Sequence, residues 1–558
     1  MLKLATILDN PGEPLADTRY RDPKALAELG YNAVVYYETT ALSGLQGTES
    51  IDDPEMKHWV ERHYLHVQNR IDDALAAGLK SYVTYDVLSL GVGVIEGRMS
   101  DIFCKGRRDV VCPGSDVSLA LSVSGLAYLL HKLKGVSGVV LRLGDNDAGR
   151  LPHLVGNDLY APHCGRCSQL GRVDRLAKAL KAFHRLVVDE LGLSLIARAW
   201  NVRPNGMHDS VELCRRLKDR LPGAEDDGRF ILSFKYTHTD FWRYQMWNPS
   251  SQVFGKRPII YELQCQREFE GKGGVPNYMA GIWRDGASEA IGSRAFAGAG
   301  DVSLAEGLAA MCDQVNLVGL WGWVRGGGWG GPFVENESWI DANVFAVPKL
   351  ADHPELTADE LAHMWVTQRL GLAGDRAIEV VKQVLLDSPV RILKGFYIGA
   401  YSCGRDVPWH PSADWIEDDL LDADAAWRIV QQLDWDVLPG VLREKQEAVD
   451  LVFADRIALQ SVMDDRNRKV LEPLANTLVY MESFFAVLHD LLGGLIAYRG
   501  YLREKDVSLG EQCRRKLRYA QDHWHQHTQY HGGLPGTATP FREKNFWVLT
   551  QQMIDAVS

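Results

Sequence analysis

The chain has 558 residues, 46% of them hydrophobic and 24% charged, a balance that suits a globular protein and argues against a disordered or fibrous one. At this length two or three domains are expected rather than a single core. The net charge of −12, with no long cluster of Lys and Arg, argues against nucleic-acid binding, which needs a basic footprint, and against docking on anionic membranes.

The amino terminus shows none of the charged start, apolar core and small-residue cleavage site of a signal peptide, so a cytoplasmic location is expected. Nine cysteines spread over the chain do not form the pattern of a disulfide framework. No apolar run reads as long enough to cross a bilayer. Eight short apolar runs then follow, at residues 4–9, 32–37, 80–85, 138–143, 194–200, 230–236, 258–264 and 315–321. Each is nearly continuous in apolar character, as strands buried on both faces of a parallel sheet are. Amphipathic stretches at 22–29, 67–76 and 173–191 separate them. Strands alternating with helices in this way predict an α/β fold, a (β/α)8 TIM barrel over residues 1–350. An open doubly wound sheet is the competing architecture, but no Gly-rich dinucleotide fingerprint follows the first strand.

Beyond residue 351 strand signals nearly vanish. Helical patterns at 358–370, 376–386, 425–433, 441–453 and 471–492 predict an α-helical C-terminal domain over 351–558. Residues 401–415 read as a loop. The His- and aromatic-rich stretch near the end, containing His523, His525, His527 and His531, reads as a polar surface helix running into a turn rather than as a metal-binding tract.

The chemistry is expected past the carboxyl ends of the strands, where barrel enzymes carry their catalytic groups. Asp240 follows the sixth run, and Glu262 and Glu268 close the seventh. Paired carboxylates in a barrel mouth are the usual equipment for breaking glycosidic bonds. The competing reading is a helix cap for Asp240 and a solvated face for Glu268. The neighbouring aromatics Phe241, Trp242 and Trp247 favour the functional one, since sugar C–H surfaces pack on aromatic faces. Arg198 and Lys235 lie within strand runs, where a charge is costly unless paired. They read either as salt bridges to barrel carboxylates or as holders of an anionic substrate group, Arg as a planar fork and Lys as a point charge. After the fourth run come Arg142, Asp145, Asn146 and Asp147, read either as the site of a proton donor or as an Asx-turn cluster.

These spacings resemble glycoside hydrolase family 67, the α-glucuronidases of xylan breakdown. That family has a strand-end Lys five residues before an Asp-Phe, as Lys235 stands before Asp240 and Phe241. It has a Phe-Gly before a Glu-Phe-Gln segment with a second Glu six residues on, as Phe254 and Gly255 precede Glu262, Leu263 and Gln264, with Glu268 at that interval. Its Trp-Arg-Cys-Phe strand is similar to Ala197, Arg198, Ala199 and Trp200. Arg325 followed by Trp329 and Phe333 looks like its Arg-Asn-Trp-Thr-Gly-His-Pro-Phe stretch, and residues 350–366 look like its closing helix. The resemblance implies that Asp240 and Glu268 activate water and that Arg198 and Lys235 hold a uronic carboxylate. Trp200, Trp242, Glu262, Arg142 and Arg325 complete the expected substrate contacts.

The chain departs from the family at three places. It begins at the first barrel strand, without the family's preceding β-rich domain. His238 and Thr239 replace a Gly-Pro. An Asp stands where the family's general acid is a Glu: Asp147 is the best counterpart, Asn146 falls there if no gap is allowed, and Asp145 is the other candidate. The expected activity is an exo-acting, inverting glycoside hydrolase that releases a uronic acid, α-glucuronic acid above all. The alternatives are a related glycosidase for another sugar and a non-catalytic saccharide-binding barrel. The expected partner is an oligosaccharide substrate, and the resemblance implies a homodimer through the helical domain, whose aromatics would suit such an interface or equally an internal core.

His163, Cys164 and Cys167 have the Cys-x-x-Cys spacing of a zinc site, and Cys104 or Cys112 would be needed to complete it. With a single such motif a structural zinc, a reduced thiol cluster and a surface loop are all open readings, no metal being the favoured one, and catalysis by paired acids needs no cofactor. The lack of a His-Glu-x-x-His helix argues against a zinc peptidase.

Overall fold

The computed structural model describes residues 1–9, 15, 17–46, 53–95, 99–107, 109–161, 164–202, 204–225, 227–243, 245–267, 270–287, 307–326, 336–402, 416–417, 420–531 and 542–558. Eight strands close into a parallel barrel: β1 (Leu2–Leu8), β2 (Ala33–Tyr36), β3 (Lys80–Asp86), β4 (Val136–Gly144), β5 (Ser194–Asn201), β6 (Phe230–Lys235), β7 (Pro258–Gln264) and β8 (Asn316–Gly326). β8 returns to pair with β1, Leu2 opposite Gly319 and Leu8 opposite Gly326, so the sheet has no edge and the open doubly wound alternative is excluded. All eight strands fall on the predicted runs. Every residue of β2, β6 and β7 is buried, as a sheet covered on both faces requires.

The helices around the barrel are α1 (Pro23–Leu29), α2 (Pro54–Ala76), α3 (Asp116–Lys132), α4 (Arg172–His184), α5 (Val211–Lys218), α6 (Ala280–Asp285) and α7 (Ser338–Asp352). Their starts are written in the sequence. Asp22 and Asp53 accept backbone N–H bonds ahead of Pro23 and Pro54, and Ser115 caps α3, which answers N–H groups that a helix start leaves without partners. The connection from β6 to β7 carries a 3-10 helix, Pro249–Phe254, among its described residues. The loops after β3 and β4 are long and are stitched together by an antiparallel pair, Leu90–Gly91 against Leu154–Val155.

The rest is helical: α8 (Ala358–Met364), α9 (Asp375–Phe396), α10 (Ala423–Gln432), α11 (Leu438–Ser461), α12 (Arg468–Glu504), α13 (Val507–His531) and α14 (Phe546–Ala556). A small sheet of Ile416–Glu417, Leu420–Asp422 and Arg542–Lys544, not foreseen from the sequence, joins them. α12 is the central element. A Cβ on Gly395 of α9 would lie 1.9 Å from the Phe485 ring of α12, so only glycine allows that crossing. Against the expectation from the sequence, α12 is by length and composition apolar enough to cross a membrane, but 67% of the relevant stretch is buried inside the protein. Its Asp490 pairs with Lys516 at 2.7 Å and His523 at 2.9 Å on α13. α12 is a core helix.

Buried polar contacts seat the helices on the barrel. Asp341 of α7 accepts from the Tyr20 hydroxyl at 2.9 Å and the Trp365 indole at 3.0 Å. Trp339 donates to Thr477 of α12 at 2.8 Å.

The His-rich stretch is a helix with one exposed face, which carries His525, and one buried face. His527 and His531 are buried, with ring centroids 4.7 and 5.1 Å from that of Tyr480, and His527 also stacks on Trp524 at 5.8 Å. A helical pitch puts positions four apart on one face, and that face turns to α12. Burial lowers His527 to about 3 and His531 to about 4, so both are neutral in the folded chain. The unfolded chain takes up these protons near pH 6.5 and the folded one does not. Stability is therefore complete above pH 6.5 and falls as the pH drops toward 4. We expect a lower Tm at pH 5 than at pH 7.5, with a smaller difference in a His527→Phe, His531→Phe double variant. An unchanged pH dependence in that variant would refute the assignment.

Candidate active site

At the carboxyl end of the barrel the interior is filled with charge. Arg198 of β5 reaches across β6 to Glu262 of β7, with Nε 3.0 Å from both carboxylate oxygens and Nη2 3.0 Å from Oε2. The two strands flank β6 in the sheet, so the side chains meet over the middle strand. Ser233 of β6 completes the pair, donating to Glu262 Oε1 at 2.7 Å. The guanidinium lies over the rings of Trp321 and Trp323 of β8, at 5.9 and 4.8 Å. Lys235 stands 5.3 Å from the same Trp323 ring and 3.6 Å from that of Trp200, a cation held on aromatic faces. Its Nζ pairs with Asp240. Burial lowers the Lys235 pKa and Arg198 adds to that, while Asp240 opposes it.

Arg142 of β4 sits among three carboxylates: Asp86 at 3.1 Å, Asp145 at 2.6 Å, and Asp147. The ring of Tyr37 lies 4.8 Å from this guanidinium. One cation does not neutralise three anions, and the deepest acid yields. Burial, with Asp147 alongside, pushes Asp86 up to about 8 against the pull of Arg142. Burial would also raise Asp145, but Arg142 and then Arg198 outweigh it and hold that carboxyl below its ordinary value.

Solvent reaches two of these acids. The side chains of Asp145 and Asp240 are 24% and 17% exposed, against 5% for Asp147 and 0% for Glu262. Asp147 is locked at both ends: its N–H donates to Asp86 at 2.8 Å and its carboxylate pairs with Arg142. Asn146 makes an Asx turn with Ala148 at 2.9 Å and donates to Val87 O at 3.2 Å. The stretch is thus both a turn cluster and the carrier of an accessible carboxylate, the two readings open from the sequence.

The remaining expected residues divide. Arg198, Lys235, Trp200, Arg142, Asp145 and Asp240 come together at the mouth. Arg198 and Lys235 are paired with barrel carboxylates. Glu262 serves Arg198 and Ser233. Trp242 is buried edge-on to Tyr397, with ring centroids 6.4 Å apart, and Arg325 is buried between Gln266 at 2.8 Å and Glu337 at 2.9 Å. Glu262, Trp242 and Arg325 are thus buried against protein partners, as are Arg198 and Lys235. Glu268, Trp329, Phe333 and His163 lie outside the described residues.

Asp86 and Trp323 were missed because the third and eighth predicted strands were ended too early, at 85 and 321. Glu270 was missed as well. It is fully buried and accepts from Arg243 at 3.1 Å, Arg267 at 3.0 Å, Asn277 at 2.6 Å and Tyr397 at 2.8 Å. Burial would raise it, but the two guanidinium groups hold it far below the usual carboxylate range. Arg267 also donates to the carbonyl of Phe241. The loop after Asp240, the loop after β7 and the end of α9 are therefore tied at one carboxylate.

No family model matches the chain, and no curated protein does. Solved structures do resemble it. A GH138 enzyme targeting pectin rhamnogalacturonan II superposes with a TM-score of 0.55 at 12% identity, over 97% of this chain and 63% of that one. This chain thus spans less than two thirds of that enzyme's length, and at such identity the likeness speaks for the barrel-plus-helices fold. A mutant O-GlcNAc hydrolase of Thermobaculum terrenum gives a TM-score of 0.44 at 10% identity, over 100% of this chain and 93% of that one, a likeness too weak to carry an argument.

Glu270→Ala leaves Arg243 and Arg267 buried without their carboxylate, a loss of about 3–5 kcal/mol. A clear fall in Tm is expected by thermal unfolding, with Glu270→Gln in between. An unchanged Tm in the Ala variant would remove Glu270 from the framework of the site.

Proposed function

We propose that the chain is a glycoside hydrolase whose reactive carboxylates are Asp145 and Asp240. One observation carries the reading. Of the five acids around Arg142, Arg198 and Lys235, Asp145 and Asp240 are the most open to solvent, and they stand on the loops after β4 and β6. In the proposed reaction Asp240, with Glu268, takes a proton from water as its oxygen attacks the anomeric carbon. Asp145 gives its proton to the departing glycosidic oxygen from the other side, and the sugar leaves with inverted configuration. Asp145 is preferred to Asp147 as donor because Asp147 is closed in by Asp86 and Arg142.

The substrate favoured is a uronic acid glycoside, an α-glucuronide as in the family that the motif spacings resemble. Arg198 and Lys235 flank one indole, Trp323, and a sugar carboxylate near them would also solve an electrostatic problem. A proton donor has to be protonated, yet Arg142 and Arg198 hold Asp145 ionised in the free protein. An anionic substrate engaging Arg198 and Lys235 would offset their pull and raise Asp145 toward the range a general acid needs. A second reading, a neutral sugar, is favoured by the existing pairings, since Arg198 and Lys235 each already face a carboxylate.

The test is an anomer-resolved proton NMR time course with glucuronic-acid-decorated xylo-oligosaccharides, pectic oligosaccharides and neutral glycosides. First appearance of β-glucuronic acid from the first set supports the uronate reading. Release from neutral glycosides alone overturns it in favour of the second, and binding without product from any set overturns catalysis.

Two substitutions probe the roles. Asp240→Asn should lower kcat by about 10²–10⁴-fold on every leaving group while the chain stays folded. Asp145→Asn should do so for sugar leaving groups but spare an aryl glycoside whose phenolate departs without a proton. Equal losses on both leaving groups would refute Asp145 as the donor. Near-normal turnover in Asp240→Asn, or in Glu268→Gln, would sink the paired-base assignment.

A further inference from the structure

The loops after β3 and β4 converge on four thiols that the carbohydrate chemistry does not use. Cys104 and Cys112 lie on either side of a tight hairpin closed by Phe103 against Val111, with Cys104 N–H on Val110 O at 3.0 Å. Cys164 and Cys167 open the short helix Gly165–Gln169. The sulfurs all fall within 4.8 Å of one another. Cys104 and Cys167 are 4.0 Å apart, Cys112 and Cys164 3.8 Å, and Cys164 and Cys167 3.7 Å. Zinc bonded to four thiolates at about 2.3 Å places sulfurs about 3.8 Å apart at tetrahedral corners, and the observed separations bracket that figure. These distances are too long for disulfide bonds.

The surroundings suit a charged centre. Four thiolates around Zn²⁺ leave two excess negative charges, and N–H donors aimed at sulfur spread them. Arg166 Nε donates to Cys112 Sγ at 3.3 Å, and the backbone N–H of Cys164 donates to Cys167 Sγ at 3.2 Å. Arg166 is also fixed at its other end, by Phe103 O at 2.8 Å. Gly114 admits the second loop: a Cβ there would lie 2.7 Å from the Cα of Cys167. Cys104, Cys112 and Cys167 are buried and Cys164 is half-buried, beside a surface groove lined by Phe103, Cys104, Lys105, Cys164 and Arg166.

Against the expectation from the sequence, we propose that Cys104, Cys112, Cys164 and Cys167 bind one Zn²⁺ as a closed tetrahedral site. With no position left for water, such a site is structural. It clamps the loop that follows Asp86 to the loop that carries Asp145 and Asp147, so the metal supports the candidate acid without touching substrate. This inference does not depend on the identity of the sugar or on catalysis, and its test uses metal content and spectra.

The full chain, expressed in zinc-supplemented medium and purified without chelator, should carry one zinc per chain by elemental analysis. Titration with a mercurial should release it as four thiols react, and Tm should fall. Replacing zinc by Co²⁺ should produce the thiolate-to-cobalt charge-transfer band and the intense visible bands of a tetrahedral tetrathiolate. Cys112→Ser and Cys164→Ser should each lose zinc. If those variants do not fold, the mercurial and cobalt measurements on the natural chain decide the matter. Zinc far below one per chain, with no tetrathiolate cobalt spectrum, would overturn the proposal. So would peptide mapping that finds these cysteines joined as disulfides in the native protein.

Discussion

The structure depends on how it neutralises charge inside the barrel. Most of the core is apolar, but its carboxyl end holds Arg142, Arg198 and Lys235 together with Asp86, Asp145, Asp147, Asp240 and Glu262. Taking any of these out of water is costly unless partners are supplied in good geometry. Arg198 is therefore gripped by Glu262 across a whole strand, and Arg142 by the acid at the end of β3 and two from the loop after β4. Five acids for three cations leave a surplus. The deep member of that surplus, Asp86, is driven toward its protonated form. Asp145 and Asp240, each paired with a cation, stay where water reaches.

The loops bearing those carboxylates are held from opposite sides. On one side Glu270 gathers Arg243, Arg267 and Tyr397, and so couples the Asp240 loop to the helices beyond the barrel. On the other, the four cysteines and the Leu90–Gly91 pairing bind the loops after β3 and β4 to each other. A reactive group has to be held to a fraction of an ångström to be effective, and side chains on loops gain that only from such supports. The carboxyl-terminal helices therefore have a direct bearing on the site. Tyr397, at the end of α9, shares the carboxylate that fixes the loop after β7.

Much of the fold was legible from local pattern. All eight strands coincide with the predicted runs, because a strand buried on both faces has to be apolar throughout and leaves an unambiguous signature. The helical region was likewise legible from its 3.6-residue periodicity. Errors arose where local pattern and burial diverge. The third and eighth strands run on into Asp86 and Trp323, past the point where a polar residue or glycine suggests an end. His527 and His531 of α13 are polar by composition but lie on the face turned to α12.

The sequence by itself determined the barrel, the helical region after it, and the position of Asp145, Asp240, Arg198 and Lys235 at strand ends, since these follow from residue type and spacing along a strand. Only the tertiary structure decided which charges face one another. Arg198 and Glu262 are 64 residues apart and meet because β5, β6 and β7 lie side by side in the sheet. Asp147 is locked and Asp145 open because one turn points its two acids differently. Cys104 and Cys112 join Cys164 and Cys167 because two loops happen to be neighbours in space. Pairing across a closed sheet is a property of distances that no local spacing encodes, and it is this pairing that separates the acids able to meet a substrate from those that hold the barrel together.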